Sequence, residues 1–151
     1  MTDRRDVHPH HLLRAVLADR PAREVLAAVG VAADDVLLTL DGLWLAASDT
    51  IDVEEVQARG IDVATVLAVV NPPFEGEPDW GGRRVTDATR DVLVRSLAMR
   101  RAGGARPVTS GHLLLGLLAS RDRLVSGTFR AHGLRLRDVR PVVDRLGRRA
   151  P

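Results

Sequence analysis

Three histidines crowd one short stretch of the chain, HPHH at residues 8–11. Neutral imidazoles ligate zinc, nickel or copper, so such a run invites a metal site. No cysteine or carboxylate motif with ligand spacing accompanies it. His11 also has a counterpart in His112, each near the head of an apolar octet, HHLLRAVL at 10–17 and GHLLLGLL at 111–118. The expectation is a pair of capping or packing histidines and no metal. Ser110 and Ser126 neighbour glycines but lie outside G-x-S-x-G, and no histidine and acid are spaced for a triad. Asp34 with Asp35, and Glu54 with Glu55, are adjacent pairs that point to different sides of a helix, a poor arrangement for sharing a proton. Without cysteine there is neither a thiolate nucleophile nor a disulfide, and without lysine no G-x-x-x-x-G-K-[ST] loop. The expectation is a chain with no catalytic residues, no cofactor and no ATP turnover.

Charge is the next feature with chemical consequences. All 22 basic residues are arginine, which a coding bias toward GC-rich codons explains as economically as selection for phosphate binding. The net charge of +2 hides an asymmetry. Residues 34–80 hold eleven acids against Arg59, a net of −10, whereas residues 83–149 hold sixteen arginines and five aspartates, a net of +11. Opposed blocks of this kind pack against each other or offer faces of opposite sign to partners. Arg90, Arg95, Arg100, Arg101, Arg106, Arg121 and Arg123 make a nucleic-acid-binding regulator the alternative to a protein-binding module. The helical corners that follow lack the Asn, Gln and Ser clusters that read bases.

These side chains must be positioned by helices. A chain of 151 residues with 45% apolar side chains suits one domain, and no strand-period run interrupts its helical patterning, so the expected fold class is all-α. After each octet comes a second helical segment that stops at a glycine and restarts at once. PAREVLAAVG carries Pro21 early, Val25, Leu26 and Val29 on one stripe, and Gly30 as its stop. LVSGTFRAHG carries Val125 and Phe129 and stops at Gly133. The phrases that follow, GVAADDV and GLRLRDV, place Asp35 and Asp138 in the first turn of a further helix. A unit that recurs with one apolar pattern buries its face against its copy, so the octets are expected to be equivalent central helices, with Leu12, Leu13, Leu26, Leu113, Leu114 and Phe129 buried.

Ahead of the second octet, VTDATRDVLVRSLAMRRAGG reads as a helix with Thr86 as its N-cap, Asp87 in its first turn, and apolar Val92, Leu93 and Leu97 at helical spacing. Ahead of the first, MTDRRDVHP is too short for a matching helix, so the first unit is truncated. Between the units, DDVLLTLDGLWLAA reads as a helix buried around Leu37, Leu40 and Trp44, followed by short helices near 52–58 and 62–70. A proline and glycine loop then spans 71–84 between Phe74 and Trp80. The start of the chain has no signal-peptide core, and no apolar run reaches the roughly 20 residues of a membrane span, so a cytoplasmic chain without membrane contact is expected.

The sequence from Val85 through VTSGHLLLGLLASRDRLVSGTFRAHGLRLRDV resembles the repeat of the Clp amino-terminal domain, the module through which Clp ATPases receive substrates and adaptors. The resemblance is good over 85–146, partial over 10–37 and weak between. The phrase GIDVATV at 60–66 is similar to the spacer of small actinobacterial proteins that carry only this domain. What the resemblance implies is one domain over 1–151, with repeat 1 at about 9–46, a spacer at about 47–84 and repeat 2 at about 85–147. The two repeats would be related by a pseudo-twofold axis and would capture a protein or peptide, as accessory, adaptor or decoy for Clp-dependent proteolysis, with a homodimer as a further possibility. The family writes Thr-Glu-His before the octet, and in some members that glutamate receives a phosphorylated arginine. Here Ser110, Gly111 and His112, and Pro9, His10 and His11, stand instead, so the glutamate is absent from both copies. The family's capturing groove maps onto Val85, Thr86, Arg90, Val94 and Leu97, where 86, 90, 94 and 97 fall along one helical stripe.

Overall fold

The computed structural model describes residues 6–47, 63–70, 84–103 and 107–149. The expected helix near 52–58 and all but the last residue of the loop 71–84 lie outside them. Proline sets the first element. A residue before proline is driven to extended backbone, and His8 stands at φ −93°, ψ 161°. That extension runs back through β1 (Asp6–Val7), while Pro9 opens α1 (Pro9–Val16). There follow α2 (Arg20–Ala28), α3 (Ala33–Ala47), α4 (Val63–Val70), β2 (Arg84–Val85), α5 (Asp87–Gly103), α6 (Ser110–Leu118), α7 (Arg123–Ala131) and α8 (Leu136–Arg149).

The described chain is predominantly helical. One detail departs from the strand-free expectation: β1 and β2 pair in parallel, Asp6 opposite Arg84 and Val7 opposite Val85. A pairing of two residues is too short to leave an alternating pattern in a sequence.

Helix α6 is the hub. It packs on α1, α2, α5, α7 and α8, and every residue from Ser110 to Leu117 is buried. A helix that is apolar on all sides has to be surrounded. Around it, α1 turns Leu12, Leu13, Val16 and Leu17 into the same core, α3 packs on α7, and α2 packs on α8. Each fully buried leucine contributes about 1.5–3 kcal/mol relative to exposure. Leu26 and Phe129 are buried with them, as are Leu113 and Leu114. In α3 the inward residues are Val36, Leu40 and Trp44, with Leu37 only half-buried against the core.

The same hydrogen bonds occur in two places. At the start of α1 the His8 N–H donates to His11 Nδ1 at 2.9 Å, and at the start of α6 the Thr109 N–H donates to His112 Nδ1 at 3.0 Å. After α2, Gly30 adopts φ 82°, its N–H reaches the Ala27 carbonyl, and the Val31 N–H reaches that of Leu26. After α7, Gly133 adopts φ 65°, with Gly133 to Arg130 and Leu134 to Phe129 in the same roles. Both are helix ends closed by a left-handed residue, where glycine avoids the penalty a Cβ incurs.

Candidate functional site

The amino end of α5 is built around one carbonyl. Val7, drawn beside Val85 by the strand pairing, presents its oxygen to the Thr86 N–H at 3.2 Å and to the Thr89 hydroxyl at 2.7 Å. The Thr86 Oγ1 lies 3.2 Å from the same oxygen and 2.9 Å from Thr89 Oγ1, and it accepts from the Thr89 N–H at 3.2 Å. Thr86 is therefore the N-cap the sequence predicts, and its hydroxyl is engaged inside the molecule.

The face that α5 turns outward is decided at its other side. A Cβ on Gly116 would stand 2.2 Å from Ser96 Oγ and 2.6 Å from the Val92 carbonyl, so α5 and α6 lie almost backbone to backbone. Ser96 is buried there, its hydroxyl donating to the Val92 carbonyl at 2.8 Å. With Thr89, Val92, Leu93 and Ser96 inward, Arg90 and Val94 face solvent, and Val94 is 66% exposed. Of the five residues predicted for the groove, Val85 and Thr86 are half-buried beside the β1 strand and Leu97 packs on the core. Arg90 and Val94 alone stand free on the outer surface. Asp91 and Arg95 pair across one turn of that surface at 2.7 Å.

Two features of this site were not read from the sequence. Thr89 and Ser96 are polar residues on the buried side of α5, and their hydroxyls satisfy backbone carbonyls. The signal for the close approach was present in the glycine inside LLLGLL, which marks contact with another backbone. Ser110 is also buried, and its Oγ accepts from the Ala22 N–H at 3.1 Å, so α6 caps the first turn of α2 across 88 residues of chain.

The histidines serve as helix caps. In both octets the imidazole takes the place that glutamate or glutamine holds in a capping box, accepting at Nδ1 from the N-cap amide. His112 is held below its ordinary pKa by burial, which Arg100 reinforces and Asp144 partly opposes. The rings of His8, His10 and His11 lie against one another, with centroids 4.1–5.6 Å apart. Among the described residues no three His, Cys, Asp or Glu side chains are placed to hold a metal ion.

Two acids of the acidic block pair with arginines of α1 and α2, outside the basic block. Asp41 pairs with Arg14, and Asp34 pairs with Arg23 at 3.1 Å. Arg135, just ahead of α8, and Arg137 and Arg145 on it are exposed. Among the described residues no helix is long and apolar enough to cross a membrane. No family model matches this chain, and no curated protein and no solved structure matches it.

Proposed function

We propose that this chain is a non-catalytic protein- and peptide-binding module of the Clp amino-terminal type, built from two helical repeats. In this reading it works in the cytoplasm as an accessory, adaptor or decoy for Clp-dependent proteolysis. The observation that carries the reading is the doubled pattern of hydrogen bonds around two touching central helices, from the histidine-capped starts of α1 and α6 to the glycine-closed ends of α2 and α7. The binding surface is the outer face of α5. Val94 supplies an exposed apolar contact and Arg90 a cation one turn away, with Val85 and Thr86 at the head of the stripe and Leu97 at its foot.

The test is a titration of the purified protein with a Clp ATPase and, separately, with an unfolded client protein. Arg90→Glu and Val94→Glu, which leave the core untouched, are expected to retain full helicity and to weaken one of these interactions by about tenfold. Unchanged binding by both variants would remove the α5 assignment. The exposed arginines of the second half, among them Arg121, Arg123, Arg137 and Arg145, support a second reading, nucleic-acid binding. That reading predicts affinity for DNA or RNA that falls steeply between about 50 and 200 mM salt.

A further inference from the structure

The two glycine-closed corners share their backbone hydrogen bonds and differ in their side chains. At the first, Arg23 of α2 braces the corner. Its guanidinium donates to the Leu17 carbonyl at the end of α1 at 3.0 Å and to the Asp34 carboxylate at the start of α3 at 3.1 Å. The arginine thus links the end of α1 to the start of α3 and is paired with an acid of the same chain.

At the second corner the brace is gone. Ser126 stands where Arg23 stood, and Arg137 where Asp34 stood, counting from Gly133 as from Gly30. The angle is left as an open cleft of about 400 Å³, lined by Leu118, Ser126, Phe129, Arg130, Leu134 and Arg135. Its floor is apolar, since Phe129 and Leu134 are buried and Leu118 is half-buried. Its rim is cationic. Arg130 and Arg135, both exposed, replace Ala27 and Ala32 of the first corner. No acid lines the cleft, and Asp122, which caps α7, is occupied by the Val125 N–H at 3.1 Å. An apolar floor under two guanidinium groups that no lining residue neutralises is complementary to a chain segment that carries carboxylates beside a hydrophobic side chain.

We propose that the cleft between α7 and α8 receives an acidic peptide segment, with an apolar side chain against Leu118 and its carboxylates on Arg130 and Arg135. This site lies apart from the α5 face and does not depend on the Clp reading.

The probe is a fluorescein-labelled short peptide with a Leu-Phe pair flanked by glutamates, titrated by anisotropy. Its controls are the same peptide with glutamine for every glutamate and the same peptide with Gly-Ser for Leu-Phe. The acidic, apolar peptide should bind about tenfold more tightly than either control. Arg130→Glu combined with Arg135→Glu should abolish that preference while circular dichroism stays unchanged. Arg121→Glu combined with Arg145→Glu, which makes the same change in net charge at exposed arginines outside the cleft, should preserve it. Equal binding of the glutamine peptide, or equal loss in both double variants, would overturn the proposal in favour of an unspecific apolar or electrostatic contact. Equal binding of the Gly-Ser peptide would overturn the assigned role of the floor. Filling the cleft by Ser126→Arg, the arrangement of the first corner, should also remove binding, and undiminished binding there would count against the site.

Discussion

A histidine at the third position of a helix is an uncommon choice for a cap, and here it has a measurable consequence at His112. The imidazole accepts from the Thr109 amide through Nδ1, so it is needed neutral, and burial holds its pKa below the ordinary 6.5. Below that value the unfolded chain takes up a proton that the folded chain refuses. The stabilisation from this group is complete above about pH 6.5 and declines as pH falls toward the depressed folded value. Urea midpoints measured from about pH 7.5 down to about pH 5.5 should therefore fall. His112→Gln, which keeps an acceptor for the Thr109 amide and cannot titrate, should flatten that slope. A slope identical in the variant would show that His112 is not its source.

At the scale of elements, the contact that orients α5, the helix proposed to bind, is its approach to α6 at Gly116. A methyl group there meets a backbone carbonyl as well as a flexible hydroxyl, so Gly116→Ala should cost about 1–3 kcal/mol, read as a lowered denaturation midpoint. A midpoint at or above that of the parent would mean that the two helices are not in backbone contact. The helices themselves were legible in the sequence because their signals are local: Pro21 at a start, Gly30 and Gly133 at ends, Thr86 as a cap, and leucines at helical spacing. The exposed side of α5 was less so. Val94 and Leu97 look alike on a helical stripe, and only the neighbours determine that one is exposed and the other packs on the core. Ser96, Thr89 and the cap that Ser110 gives to α2 were hidden for the same reason, since each depends on a partner distant in sequence. The cleft beside Phe129 became visible only when the two corners could be compared in space.

At the scale of the molecule, α1 and α6 form a shared centre, and the surfaces available to partners lie at its periphery: the outer face of α5, the corner between α7 and α8, and the arginines along α8. Each reading of function uses a different one of them, so mapping contacts along the whole backbone separates them in one experiment. Hydrogen exchange by mass spectrometry, recorded for the protein alone and with saturating unfolded client, tests the central claim most directly. The account predicts new protection at the amino half of α5, over residues 85–97, that disappears when Val94→Glu is used. Protection confined to α8, with α5 unchanged, would contradict it.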